Sequence, residues 1–397
     1  MLSYGDCRPA RYTPGRGPRP PARGLGVTTM RVAIVHDYLN QYGGAERVLE
    51  ALHDLYPEAP VYTSLYDAEA MPERYQTWDI RTSFMQRLPG WRTQFRRYFL
   101  LYPTAFENFD LSAYDLVISS SSAFAKGVIP RPGAVHICYC HTPMRFAWRT
   151  NDYIQREQIG GLQAALLPFA LTYVRLWDVV TANRVDTFVA NSHEVAGRIS
   201  RYYGREAEVV PPPVDLPPYV ARPPEEFYLA GGRLIPYKRI ELVVEAFTKL
   251  RLPLKIFGDG RDRARLERMA GPNIEFLGWV DEETRRDLFA RCRGFIFPGE
   301  EDFGITPLEA MAAGRPVIAY AAGGALETVI EGVTGRFFYS QTAADLALAV
   351  AASRTDHYDQ LTIRRHAESY DRSIFLERMR TLIAEAIEER QLQRVVR

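Results

Sequence analysis

The chain has 397 residues, with 49 Lys and Arg against 48 Asp and Glu and a formal net charge of +1. This length exceeds one ordinary core and suits two domains, and without a global field to draw in nucleic acid, recognition has to be local. Four cysteines, Cys7, Cys138, Cys140 and Cys292, show no framework spacing and fit a reducing, cytoplasmic setting.

Residues 1–29 are rich in Arg, Pro and Gly and have no apolar h-region, so they read neither as a secretory signal nor as part of a core. Two readings fit them: a disordered basic tail, or translation that begins at Met30, where the first strand starts abruptly. Val32 to Val35 predicts a buried strand, Tyr42-Gly43-Gly44 a loop and Ala45 to Leu55 a helix. Gly43 and Gly44 are either a plain tight turn or a place where backbone approaches a diphosphate or an acceptor closely. No G-x-G-x-x-G follows this strand, which argues against an NAD(P) dehydrogenase.

Trp91 to Tyr102 predicts one helix, with Trp91, Phe95, Tyr98 and Tyr102 along one face beside Arg92, Arg96 and Arg97. It is either an interfacial helix that meets anionic lipid or a packed helix with solvated arginines. Leu116 to Ser119 and Ala134 to Cys140 read as further strands. On the latter, Cys138 and Cys140 face one way and His141 the other, with no second ligand cluster, so a metal site is not expected. His141, at the strand end, serves either packing or chemistry. Arg145, Trp148 and Arg149 continue its loop toward a possible anionic acceptor. The run from Gly160 to Leu176 is broken by Gln163, Pro168 and Arg175 and falls short of the roughly 18 uninterrupted apolar residues of a membrane span. It predicts a buried or interfacial helix. Asp186 to Ala190 is another strand, and Asn191-Ser192-His193-Glu194 opens a helix.

Beyond a Pro-rich linker at 211–225 the series restarts, with strands at Phe227 to Ala230, Leu254 to Phe257, Ile274 to Phe276, Gly294 to Phe297 and Pro316 to Ala319. Alternation of this kind gives an α/β fold of two Rossmann-like domains, 30–210 and 226–372, facing across a cleft. Residues 373–397 form a last helix with Phe375, Met379, Leu382, Ile383 and Ala386 on one face, set to pack back on the N-terminal domain.

Two constellations carry chemistry. Arg233 and Lys238 follow a strand and the Gly231-Gly232 turn, so they are either solvated surface cations or a guanidinium fork and an ammonium for two phosphates. Glu301 and Glu309, spaced E-x7-E, bracket a strand-to-helix loop containing Gly304, with the helix opening near Thr306. Thr306-Pro307-Leu308-Glu309 is also a capping box, so Glu309 is either a cap or a ligand for whatever meets the free N–H groups of the helix start.

The run PGEEDFGITPLEAMAAGRPVIAY, taken with Gly231 to Arg239, Ile256-Phe257-Gly258-Asp259-Gly260, Phe276 to Trp279 and Val210-Pro-Pro-Pro-Val-Asp215, resembles the family 4 retaining glycosyltransferases of GT-B fold. The motifs stand in that family's order and span nearly everything beyond Met30. The resemblance implies a nucleotide-sugar donor, with Arg233 and Lys238 on its diphosphate and Gly304, Ile305 and Thr306 offering N–H groups to the phosphates. Glu309 would hold the ribose, Glu301 would contact the donor sugar, and His141 would lie near that sugar. Gly258, Gly43 and Gly44 would line the nucleotide site. It further implies transfer without a covalent nucleophile, a cofactor or a metal. The phrases Tyr139 to Arg145 and His36 to Arg47 look most like the bacterial O-antigen mannosyltransferase subgroup, which implies GDP-mannose as donor and a lipid-linked or polysaccharide acceptor. A cytoplasmic protein, peripheral on the inner membrane face and with no nucleic-acid partner, follows from that reading. Its rivals are a sugar-nucleotide epimerase or phosphorylase of the same fold and a non-catalytic nucleotide-binding scaffold.

Overall fold

The computed structural model describes residues 30–148, 161–216, 218–219 and 222–396, of 161–166 and 393–396 the backbone alone. The 1–29 segment and Arg149 lie outside the described residues. Seven parallel strands form the first sheet, in the order β3-β2-β1-β4-β5-β6-β7: β1 Val32–His36, β2 Val61–Thr63, β3 Ile80–Thr82, β4 Leu116–Ser121, β5 Val135–Cys140, β6 Thr187–Ala190 and β7 Ala207–Val209. Six form the second, also parallel, in the order β10-β9-β8-β11-β12-β13: β8 Tyr228–Gly231, β9 Leu254–Phe257, β10 Ile274–Gly278, β11 Phe295–Phe297, β12 Val317–Tyr320 and β13 Gly335–Phe338. The helices of the first half are α1 Gly44–Leu55, α2 Trp91–Gln94, α3 Tyr102–Glu107, α4 Arg145–Trp148, α5 Gly161–Ala182 and α6 His193–Tyr203. Those of the second are α7 Ile240–Leu250, α8 Arg263–Met269, α9 Glu282–Arg291, α10 Ile305–Ala312, α11 Ala325–Thr328, α12 Ala343–Ser353, α13 Gln360–Glu368 and α14 Arg372–Val396.

These are two Rossmann-like halves. β1 reads VAIVH and is buried along its length, as a strand covered by helices on both faces must be. Its register sets Ile34 against Val61 on one side and Ile118 on the other. Strand order reverses between β1 and β4 and again between β8 and β11. At such a switch point the two outgoing loops diverge and leave a crevice at the carboxyl ends of the strands.

α14 belongs spatially to the first sheet. Phe375, Met379, Leu382 and Ile383 bury in the same core as Ile34, Val48 and Ile137. The two segments that connect the halves run side by side, the Val214 N–H donating to the Tyr370 carbonyl at 3.1 Å and the Arg372 N–H to the Val214 carbonyl at 3.2 Å.

The expected helix from Trp91 to Tyr102 is broken. α2 stops at Gln94, a 3-10 turn covers Phe95–Tyr98, and α3 starts afresh with Pro103 in its first turn. Proline lacks the N–H that continues a helix but is well suited to begin one. Trp91, Phe95, Tyr98 and Phe99 are partly buried against Tyr102, Phe106 and Phe124, which is the packed alternative for the aromatics. The exposed apolar stripe lies elsewhere, on α5, where Leu171 and Val174 face the core while Phe169, Tyr173, Leu176 and Val180 stay on the surface. Among the described residues no helix is long and apolar enough to cross a membrane.

Candidate active site

The second switch point gathers the expected nucleotide residues. β8 runs into Gly231 and Gly232, and Gly232 has φ 115°. β9 runs into Gly258 at φ 102°, and a Cβ there would stand 1.9 Å from the Gly232 carbonyl oxygen. Gly258 thus serves a backbone-to-backbone approach that holds the β8 loop in place. That loop ends in the short turn Pro236–Lys238, and Lys238 Nζ hydrogen-bonds the Glu301 carboxylate, which emerges beyond β11. The pair closes the crevice between β8 and β11 with a cation and an anion side by side, their side chains 14% and 19% exposed. Arg233 reaches the Tyr237 hydroxyl at 3.3 Å.

α10 begins two residues earlier than the capping box requires. It starts at Ile305 behind Gly304, whose φ of 87° suits glycine, and Thr306 falls inside the first turn. Glu309 therefore lies too far along to reach back over the helix start, and the capping reading fails. Its Oε1 instead accepts from Arg47 Nη1 at 2.7 Å and lies 3.2 Å from Arg285 Nη2. Backbone N–H groups at 304–306 are left at the helix start, where the helix dipole favours an anion.

At the first switch point Asp37, just beyond β1, accepts the N–H groups of Ser122, Ala123, Phe124 and Ala125 beyond β4, at 2.5 to 3.0 Å. Burial raises its pKa, while His36 and these N–H groups pull it back. One carboxylate so anchors the loop that carries Phe124. His141 ends β5 with Nε2 2.8 Å from Ser120 Oγ. Burial, and next the neighbouring His36, pull its pKa down to about 3, so its ring is neutral at ordinary pH. Cys138 and Cys140 are buried with Phe188 and Val195. Among the described residues no group of three His, Cys, Asp or Glu side chains is placed to hold a metal ion.

The loops of the two halves meet. A Cβ on Gly44 would come within 3.0 Å of Ile305 Cδ1, so the starts of α1 and α10 touch and glycine lets them. Arg145 and Arg198 both hydrogen-bond the Asp302 carboxylate. The Glu327 carboxylate accepts the N–H groups of His193 at 2.9 Å and Glu194 at 3.1 Å, at the start of α6. Beside these contacts lies a cavity of 680 Å³. Tyr38, Phe95, Phe99, Phe124 and Phe146 form its aromatic wall, and Arg96, Arg145, Arg233, Arg239 and Arg261 face it with the carboxylate Glu300. Such a lining suits a ligand with an anionic group next to an apolar or ring-shaped part.

Arg233 lines this cavity; Lys238, Glu301, Glu309 and His141 lie outside its lining. Glu309 borders a smaller pocket of 40 Å³ with Arg47 and Arg285. Arg47, Arg198, Asp302 and Glu327 were not singled out in the sequence. Their partners sit 262 residues away for Arg47 and 104 for Arg198, and no local pattern reports such a pairing.

Residues 42–217 match the family model "Glycosyltransferase Family 4", and residues 217–368 match "Glycosyl transferases group 1". Over 106 residues the chain is 35% identical to O-antigen chain mannosyltransferase C of Escherichia coli, covering 25% of this chain and 29% of that one. Over 105 residues it is 39% identical to the GDP-mannose-dependent alpha-mannosyltransferase of Mycolicibacterium smegmatis, covering 26% and 28%. These matches span under a third of either relative. The crystal structure of Anabaena Alr3699/HepE in complex with UDP superposes with a TM-score of 0.65 over 90% of this chain and 100% of that one, at 18% identity, a likeness of fold.

Proposed function

From the premise that this chain belongs to the family 4 retaining glycosyltransferases of GT-B fold, we propose that it moves mannose from GDP-mannose to a lipid-linked glycan. The observation that carries the reading is the convergence of Lys238, Glu301 and the α10 start on one switch point, with Arg233 opening onto the cavity. In this reading Arg233, Lys238 and the N–H groups of Gly304, Ile305 and Thr306 meet the donor diphosphate and the charge that builds as it leaves. Glu309 takes the ribose hydroxyls in exchange for an arginine, and Glu301 and His141 take hydroxyls of the sugar. The acceptor hydroxyl attacks the anomeric carbon from the face the diphosphate leaves, and the departing phosphate oxygen takes its proton, so configuration is kept. The cations present supply the charge stabilisation, so turnover persists in excess chelator.

The mannosyl relatives support the donor sugar, and the aromatic wall beside five arginines supports an acceptor whose phosphate adjoins a lipid. We divide the chain at 30–210 and 226–372 around the 211–225 linker, with the C-terminal helix as a strap on the first half. A thermal-shift panel of sugar nucleotides tests the donor: GDP-mannose at about a hundred times its Kd adds about 2.7 kcal/mol of stability. Selective stabilisation by a UDP-sugar would sink the GDP-mannose reading.

A further inference from the structure

Behind His141 runs a line of three buried polar side chains. Ser120 Oγ, on β4, is 2.8 Å from His141 Nε2 and 3.1 Å from His36 Nδ1. His36 Nε2, at the end of β1, lies 3.4 Å from Glu46 Oε1 in the first turn of α1. Exposure rises along the line from 0% at Ser120 to 9% at His141, with His36 at 2% and Glu46 at 4% behind. The His141 end is the more exposed of the two. Its Nδ1 has no protein partner among the described residues, and the next residues, Thr142 and Arg145, line the cavity.

Each hydrogen bond in such a line fixes the next. A carboxylate accepts only, so His36 in its neutral form donates from Nε2 to Glu46 and keeps a lone pair on Nδ1. The Ser120 hydroxyl then donates to that lone pair. Having one proton, it can only accept from His141, which must carry its own on Nε2. Asp37, the other acid beside His36, is already taken up by four backbone N–H groups.

We propose that Glu46, His36 and Ser120 act as positioning residues that hold His141 in the Nε2-protonated tautomer, so that Nδ1 presents a lone pair to a hydroxyl of the donor sugar. The inference rests on the functional reading above, which sets His141 beside that sugar. The low pKa of His141 keeps the lone pair available at every working pH. The device resembles the way a second group orients a catalytic imidazole in other enzymes, with a serine hydroxyl as the intermediary.

Histidine ¹⁵N correlation spectra of the full chain decide the tautomer directly. The expected result is a single Nε2–H form for His141 in the wild type and a mixture of both tautomers in Ser120→Ala, with kcat falling about tenfold and the KM for the acceptor unchanged. Glu46→Gln, which keeps an oxygen for His36 Nε2, loses less than Glu46→Leu. An Nδ1–H form in the wild type overturns the proposal, because the serine proton then points the other way. So does a mixed tautomer in Ser120→Ala with turnover within twofold of wild type. If no sugar nucleotide supports transfer while the spectra change as expected, the functional reading fails and the tautomer relay stands.

Discussion

Lys238 and Glu301 face each other with less than a fifth of either side chain exposed, so the ammonium is held where the leaving diphosphate of the proposed reaction gathers charge. Lys238→Ala should lower turnover about 10²-fold or more in a nucleotide-release assay, as the loss of a preorganised donor does; turnover within twofold of wild type removes it from the phosphate site. Glu309→Gln leaves Arg47 and Arg285 without their carboxylate, and calorimetry should show GDP binding at least about tenfold weaker. A lower melting temperature with unchanged GDP affinity would mean that Glu309 serves only to join the halves. His136 offers a test of pH dependence. It is buried between Ser119 and Arg184, and burial, the first cause, lowers its pKa from 6.5 to about 4. The unfolded chain takes up a proton below 6.5 and the folded chain resists until about 4, so this contribution is complete above 6.5 and lost as pH falls through that window. It amounts to about 3 kcal/mol, and His136→Gln should flatten the fall in urea midpoint between those limits. The sequence exposes residues like Lys238 and Glu301 because they sit in strand-end loops with glycines around them. It hides His36, Ser120 and Glu46, whose importance is a matter of which nitrogen faces which oxygen.

At the scale of elements, strands with three apolar residues in a span of four or more were readable to within a residue or two, β4 and β9 among them. β2, β3 and β7 are only three residues long and, unlike the equally short but wholly apolar β11, mix polar residues into that span, and they sit toward one edge or the other of the first sheet. The Trp91 to Tyr102 helix misled for a different reason. Its aromatic spacing was helical, yet Pro103 and the pull of Phe124 and Phe106 broke it into turns. Its arginines also differ once placed: Arg92 lies 3.4 Å from both Asp67 and Glu69, Arg97 meets the neutral Gln94, and Arg96 lies over the Phe95 ring. Only Arg96 and Arg97 are then available to an anionic bilayer carrying the proposed acceptor. At about 1 kcal/mol each, Arg96→Gln with Arg97→Gln should weaken flotation with anionic vesicles about thirtyfold at low salt. Equal flotation of the double variant and wild type would remove this segment from membrane contact.

For the whole molecule, the second half contributes acids to the closed contact and the first half contributes the groups that receive them: Arg47 for Glu309, Arg145 and Arg198 for Asp302, and the α6 N–H groups for Glu327. Removing one partner leaves a charge poorly compensated, which costs more than the pair is worth intact. Arg47→Gln combined with Glu327→Gln should therefore populate open forms, seen as a larger radius of gyration in small-angle scattering; an unchanged radius would show that apolar contacts such as Gly44 against Ile305 suffice. The architecture of two sheets was legible because it rests on repeated local patterns, whereas this polarity of contacts was not, since it exists only after folding. α14 has a consequence for how the protein is made. Phe375, Met379, Leu382 and Ile383 complete the core around β1, so the first half to leave the ribosome cannot finish its interior until α14 has been synthesised. The second half, whose cores draw on nothing beyond Tyr370, can mature first. Nascent chains halted shortly before α14 should thus carry a protected C-terminal half and a protease-sensitive N-terminal one, the reverse of the order in which they emerged.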